Sequence, residues 1–274
     1  MTRTSPAGEI LRRGHATIPL TAAEAGVLAT LRAEAARFFT LDEAVKRRHG
    51  SDDFNFGFRP FGRQYSVSPD RPDMNESFTY WADAPGTVPN GEDIAPFLTA
   101  LGAYWAVAAR AADDILTGLA AHYGHPEPAL DFRDSSYLEV NWYLRDDERD
   151  LLQDRHEDGH LLTLANSDGP GLETESAGRM RPVAVPDGHL LAMPGSLLTS
   201  MTDGQVRPLY HQVRNHRLRR RVTVLFLVNP RFDRPVRPYV TGRSGEVDIA
   251  AMARTGGSMF GLPPAPILKA SPRR

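Results

Sequence analysis

Between residues 168 and 230 the chain turns so often that only short strands fit. Asp168-Gly169-Pro170-Gly171, Pro186-Asp187-Gly188, Pro194-Gly195, Asp203-Gly204 and Asn229-Pro230 punctuate it, with short apolar segments between them. Gly gives access to positive φ and Pro fixes its own φ, so such clusters end regular elements. "SYLEVNWYL" alternates just ahead of this stretch, and "RVTVLFLV", Arg221 to Val228, closes it as the clearest strand. Many short strands with closely spaced turns predict a sandwich or barrel, not a parallel α/β sheet.

The chain upstream reads differently. Thr21 and Glu24 have capping-box spacing, and Val27, Leu28, Leu31, Ala35 and Phe38 follow mostly three and four apart, which predicts a helix. A longer helix is expected from about Pro96 to Tyr123, with Phe97, Leu101, Trp105, Ala108, Ala112, Ile115 and Leu119 as its apolar stripe. Between the two lies "DDFNFGFRPFGRQYSVSPDRPDMNESF", read as a long irregular segment. Near the end, Ser244 to Thr255 is expected to be helical, and the Pro-rich tail from Pro263 to Arg274 to be mobile.

Composition narrows the chemistry. The sequence has no cysteine, which removes disulfides, thiolate nucleophiles, Cys-bound zinc and iron–sulfur clusters together. A metal would have to be held by His, Asp, Glu or water. The net charge of −2 offers no global basic field, so neither nucleic acid nor a membrane surface is an expected partner. The N-terminus has no signal-like apolar core and no long uninterrupted apolar run occurs, so the expectation is a soluble, cytoplasmic protein.

Against that background "RHEDGH", Arg155 to His160, stands out. In extended chain, residues two apart share a face, so His156 and Asp158 can reach one ion while Glu157 turns away. His211 lies in a short apolar segment after the Asp203-Gly204 turn, where the chain has folded back, and can supply a second imidazole. Two imidazoles and one carboxylate form the ligand set of non-haem Fe(II) with open coordination positions. His160 is a competitor, but its spacing from His156 suits a helix and the following residues read as strand; it is set aside. Arg221 and Thr223 share one face of the last strand. Beside a metal-bearing strand, an inward Arg would be a buried charge awaiting an anion, and guanidinium grips carboxylate with two prongs. Asn141 and Tyr143 form a matching pair on the earlier strand.

His156-x-Asp158, His211 and then Arg221-x-Thr223 together resemble the HxD…H…RxS pattern of the Fe(II)/2-oxoglutarate-dependent oxygenases. The sequence is most similar to the isopenicillin N synthase-like branch, through "HEDGHLLTL", "VPDGHLLAMPGSLLTSMTDGQVRPLYHQV", "RRRVTVLFLVNP" and "NWY". The resemblance implies a mainly β fold with flanking helices around a double-stranded β-helix (jelly-roll) core. It implies one oxygenase domain over 1–274, divided into a helical N-terminal part (1–134), the core (135–230) and a C-terminal extension (231–274). It implies Fe(II) on His156, Asp158 and His211. The distal carboxylate of 2-oxoglutarate would lie on Arg221 and Thr223, assisted by Tyr143, with Asn141 near the chelating end. O2 would be the oxidant, oxidising a C–H bond of a small molecule by hydroxylation, desaturation or cyclisation. By analogy the substrate is a specialised metabolite in bacterial biosynthesis, such as an antibiotic.

The sequence departs from the branch at several points. Thr223 replaces Ser, Leu144 a common Pro, and Gln212 the more usual Arg; the family's leading strand also reads as missing. Asp158 argues against halogenation, which needs that ligand position vacated. The Arg63–Tyr65 region, Tyr210, Phe232, Tyr239 and Phe260 are candidate pocket walls, and Arg59, Arg63 and Arg71 permit a polar or anionic substrate. Three alternatives stay open: an iron oxidase that does without 2-oxoglutarate, a zinc hydrolase built on "HEDGH", and a silent binding module that keeps the barrel.

Overall fold

A computed structural model describes residues 5–82, 84–125, 131–240 and 248–268. In chain order the elements are α1 (Pro6–Arg13), β1 (Ala16–Pro19), α2 (Ala22–Phe39), α3 (Glu43–Arg47), β2 (Gly57–Arg59), β3 (Asn75–Tyr80) and α4 (Ala95–His122). Then come β4 (Tyr137–Tyr143), β5 (Leu151–His156), β6 (Leu162–Ser167), β7 (Leu172–Ser176), β8 (Arg179–Pro182) and β9 (His189–Pro194). The chain continues through α5 (Ser196–Met201), β10 (His211–Arg214), β11 (Arg221–Val228) and α6 (Ile249–Thr255).

The strands form two antiparallel sheets. The larger runs β1-β9-β6-β11-β4-β3-β2 and the smaller β5-β10-β7-β8. This is the expected jelly roll with helices on one side. The first 134 residues add three strands to the larger sheet. One of them, β1, pairs antiparallel with β9 from Ala16–Ala192 to Pro19–His189. The leading strand read as missing is therefore present; at four residues it is too short for alternation to reveal it. The segment read as wholly irregular also yields β2 and the start of β3, which pair with each other.

Period-two patterning decides which side of the larger sheet meets the helices. Val222, Val224, Phe226 and Val228 of β11 and Leu138 and Val140 of β4 are buried in the main apolar cluster with Leu101, Tyr104, Ala108, Ile115 and Leu119 of α4. Complete burial of one such Leu or Ile stabilises by roughly 1.5–3 kcal/mol. By length and composition α4 passes as a membrane-crossing helix, but here it is the central core helix. The Thr21/Glu24 capping box opens α2, with both reciprocal hydrogen bonds made. A further helix, α1, opens at Ser5 with Pro6 in its first turn.

The C-terminal expectations fare unequally. The predicted Ser244–Thr255 helix is realised as α6; residues 244–247 lie outside the described residues. Within the tail, Ala265 and Leu268 pack against the cluster of Trp81, Tyr137 and Leu227, so this part is held in place. Residues 269–274 lie outside the described residues.

Candidate metal centre and ligand cavity

The opposite face of β4 and β11 has the other half of the pattern. Tyr137, Glu139, Asn141 and Tyr143 of β4, and Arg221, Thr223, Leu225 and Leu227 of β11, all line a cavity of about 720 Å³, open mouth included. The register pairs them as Arg221–Tyr143, Thr223–Asn141, Leu225–Glu139 and Leu227–Tyr137. One end of the cavity is thus marked by Arg221 and the other by Tyr137. His156, Asp158 and His211 line it from the smaller sheet's side.

His156 ends β5 and His211 begins β10, and the two are direct cross-strand partners. Such partners hold their Cβ atoms about 4.5–5.5 Å apart, and the imidazole centroids lie 4.2 Å apart. Asp158 follows two residues after His156, its Oδ1 3.7 Å from His156 Nε2 and 3.9 Å from His211 Nε2. The candidate ligand atoms all lie within 4.8 Å of one another. The Asp158–His160 backbone reaches this position because residue 195 is glycine. A Cβ there would meet the Asp158 carbonyl at 2.5 Å and the His160 carbonyl at 2.2 Å.

The hydrogen bonds around the triad leave one atom of each residue facing the others. His156 Nδ1 donates to the Asp154 carbonyl at 2.8 Å and His211 Nδ1 to the Leu209 carbonyl at 3.0 Å. Both Nε2 atoms are therefore the unprotonated ones, and that of His156 lies 3.4 Å from Gln153 Nε2, which is placed to donate to it. Thr163 Oγ1 donates to Asp158 Oδ2 at 2.5 Å, leaving Oδ1 toward the imidazoles. Burial pushes the His156 imidazole down to about 4, with His211 adding to it. Burial alone would raise Asp158, but His211 and His156 outweigh it and hold the carboxyl below its usual range. A neutral imidazole and an ionised carboxylate are the states in which these groups bind a metal. The donor set fits a divalent ion with open positions.

His160 is not part of this cluster. Its Nε2 meets the Tyr137 hydroxyl at 3.1 Å.

Arg221 lines the cavity from β11. It is 2% exposed, yet among the described residues no carboxylate lies within ion-pair distance of it. Its Nε donates to the Pro170 carbonyl at 3.0 Å, Nη1 to Thr223 Oγ1 at 2.7 Å and Nη2 to Ser167 Oγ at 3.0 Å. Guanidinium has five N–H groups, so one remains on each terminal nitrogen. The Tyr143 ring lies 4.6 Å from the guanidinium carbon, while its hydroxyl donates to Gln153 Oε1 at 2.9 Å. Tyr143 thus supports the Arg221 plane through its ring. Asn141 Oδ1 accepts from Asn75 Nδ2 at 2.9 Å, and its buried Nδ2 has no partner among the described residues. That orphaned donor on the cavity wall fits an oxygen ligand.

One detail of the sequence reading needs correction. β11 does not adjoin a metal-bearing strand: it lies in the larger sheet between β4 and β6, whereas β5 and β10 belong to the smaller one. Arg221 faces the cavity across the barrel. Among the candidate walls, Gln64 of the Arg63–Tyr65 region and Phe260 line the cavity, and Phe260 packs edge-on to His156 at 5.7 Å. Tyr65 instead abuts Gly261, Phe232 and Tyr239 join the core, and Tyr210 lies under Arg155. The expected basic segment is already committed. Arg59 pairs with Glu139 at 2.9 Å, Arg71 with Asp154 at 2.7 Å, and Arg63 stacks over Phe54.

The sequence reading missed Ser167, Thr163 and a buried chain that meets His156 Nε2 through Gln153. In that chain Gln153 Nε2 donates to Asp73 Oδ2 at 3.3 Å, and Ser66 Oγ to the same oxygen at 3.0 Å. It also missed Glu139, although Tyr-x-Glu-x-Asn-x-Tyr on β4 is a wholly polar inward face between apolar neighbours. That pattern was the available signal.

No protein-family model matches the sequence, and no curated protein matches it. Solved structures do match. A Neurospora crassa protein in complex with alpha-KG superposes with a TM-score of 0.75 at 16% identity, over 90% of this chain and 88% of that one. A Caulobacter crescentus protein assigned to the 2OG-Fe(II) oxygenase family gives 0.73 at 19%, over 90% of each chain. The dioxygenase for auxin oxidation 1 from Arabidopsis thaliana, as its 2-oxoglutarate complex, gives 0.69 at 18%, over 88% and 93%. The chain has the fold of these oxygenases.

Proposed function

We propose that this chain is a non-haem Fe(II), 2-oxoglutarate-dependent oxygenase that oxidises a C–H bond of a small molecule. The observation that carries the reading is the pairing, in one cavity, of the His156–Asp158–His211 cluster with a buried, carboxylate-free Arg221. The fold shared with proteins solved with alpha-KG or 2-oxoglutarate supports it. So does the complex of one neighbour with 2OG and Fe.

In this reading His156 Nε2, His211 Nε2 and Asp158 Oδ1 hold the iron. Arg221, with Thr223 and Ser167 beside it, takes the distal carboxylate of 2-oxoglutarate, and Asn141 Nδ2 donates to an oxygen at the chelating end. The iron, when bound, activates O2 and couples loss of carbon dioxide from 2-oxoglutarate to oxidation of the substrate. The protein's part is to fix the imidazole tautomers through Asp154 and Leu209, to orient Asp158 through Thr163, and to enclose the reacting groups. Arg221 calls for a carboxylate, which 2-oxoglutarate supplies; an oxidase that needs no co-substrate would have to bring that carboxylate on its own substrate.

The substrate is a small molecule that fits the remaining cavity. The neighbour from Neurospora crassa has been solved with thymine and with 5-formyluracil. The resemblance to the isopenicillin N synthase-like branch supports a specialised metabolite of bacterial biosynthesis. The test is spectroscopic. Anaerobic protein given Fe(II) and then 2-oxoglutarate is expected to develop a weak visible charge-transfer band. No band, with iron demonstrably bound, would refute co-substrate chelation.

A further inference from the structure

Beyond Asn141, on the side away from Arg221, the cavity wall becomes polar again at Glu139. Four residues at about 3.3 Å each put Glu139 roughly 13 Å along β4 from Tyr143. Glu139 is 3% exposed and Arg59 opposite it 4%, and the two are joined by an Nη1–Oε2 bond of 2.9 Å. Arg59 is otherwise held by the Phe54 carbonyl at 3.0 Å, Thr79 Oγ1 at 3.2 Å and Ser77 Oγ at 3.3 Å. The same Nη1 also donates to Gln64 Oε1 at 3.3 Å. Glu139 and Gln64 both line the cavity, and sharing one donor nitrogen sets their heads side by side.

Each head has a second atom. Arg59 has no acceptor to offer, so Gln64 must turn its oxygen toward it, and its amide nitrogen is left as a donor. Glu139 uses Oε2 on Arg59, and Oε1 receives no hydrogen bond from a described residue. The wall therefore offers one strong acceptor next to one donor. Leu225, Leu227, Phe260 and Leu262 supply apolar surface around it.

Charge sets the class of ligand. A cation bound at Glu139 would meet Arg59, which already neutralises that carboxylate, and an anion would meet Glu139 itself. A neutral donor–acceptor edge matches both atoms without disturbing the pair. We infer that Glu139 and Gln64, both held by Arg59, read the N–H and adjacent C=O of a neutral cyclic amide or imide, the substrate class of the proposed oxygenase. The placement rests on that reading, since it is the proposed iron and co-substrate sites that make this end of the cavity the substrate end. The N–H goes to Glu139 Oε1 and the carbonyl to Gln64 Nε2. Arg59 is the positioning residue that fixes both heads.

The test uses 2-pyridone and 2-quinolone, each against its N-methyl form, and uracil against 1,3-dimethyluracil, so that each comparison keeps the ring and removes every N–H. Binding to the full-length chain is measured by calorimetry, both anaerobically with Fe(II) and 2-oxoglutarate and without metal. At least one parent compound is expected to bind roughly tenfold or more tighter than its N-methyl form, the scale of one hydrogen bond to a charged group. Glu139→Gln replaces the acceptor by a second donor and is expected to abolish that preference. Should Glu139→Gln fail to fold, Gln64→Leu decides. That change, at a half-buried position, is expected to weaken the parent compounds several-fold while preserving their advantage over the N-methyl forms. Failure of every parent to bind, or an N-methyl preference unaltered in folded Glu139→Gln, overturns the inference. So does unchanged parent affinity in Gln64→Leu. The metal-free arm separates the two readings. Selective binding in the metal-free arm, with no charge-transfer band in the arm that holds Fe(II) and 2-oxoglutarate, would refute co-substrate chelation and keep the amide site; the band without selectivity would do the reverse.

Discussion

Replacing Arg221 by Leu tests the centre of the functional proposal. The side chain is buried, spends three N–H groups on Pro170, Thr223 and Ser167, and keeps two on its terminal nitrogens. A carboxylate received by both would form two charge-assisted hydrogen bonds at about 1.5–3 kcal/mol each. Ser167 and Thr223 keep their hydroxyls in the variant, so the lower end applies. The loss is then about 3 kcal/mol, roughly a hundredfold in 2-oxoglutarate affinity. Iron affinity should change little, because no ligand of the triad hydrogen-bonds to Arg221. Stability without co-substrate should also change little. The lost hydrogen bonds are offset by removing a buried cation that no carboxylate compensates. Calorimetric titration of 2-oxoglutarate into anaerobic, metal-loaded Arg221→Leu, with a parallel melting curve, separates these effects. An affinity equal to wild type would refute the assignment, and a collapse of the ligand-free melting temperature would make Arg221 a structural residue.

His156→Ala, Asp158→Ala and His211→Ala are each expected to abolish productive iron binding, and His160→Ala to retain it, as measured by metal content after desalting. Thr223→Ser should have a mild effect on co-substrate affinity. Thr223→Val should weaken it at least severalfold, because the hydroxyl accepts from Arg221 and meets Ser167 Oγ at 2.7 Å; titration decides. Burial raises the Asp73 carboxyl from 3.8 to about 7. The folded state therefore holds a proton that the unfolded chain releases, and stability should fall as pH rises from about 4 through about 7. Asp73→Asn should flatten that part of the pH profile in denaturant melts, and a slope identical to wild type would count against the shift.

Much of the candidate site was legible because it depends on short-range periodicity. The spacing of His156 and Asp158, and of Arg221 and Thr223, states which side chains share a face whatever the rest of the chain does. The apolar stripes fixed α2 and α4 nearly to the residue, since each buries one continuous face. Turn clusters and the alternating "SYLEVNWYL" and "RVTVLFLV" were enough to announce a β-sandwich or barrel. The family resemblance then supplied roles that spacing cannot.

What the sequence left undecided is partnership over long range. Nothing local tells β11 to lie between β4 and β6, so Arg221 was placed beside the metal strands and not across the barrel from them. Nothing local pairs residue 59 with 139, or 73 with 153, so a guanidinium that looked available to a substrate proved to be neutralised by Glu139. The short β1 has too few residues to show a period and exists because β9 offers it an edge. Sequence periodicity determines the direction in which a side chain points. Only the closed barrel, through its register and its two facing sheets, decides what that side chain meets.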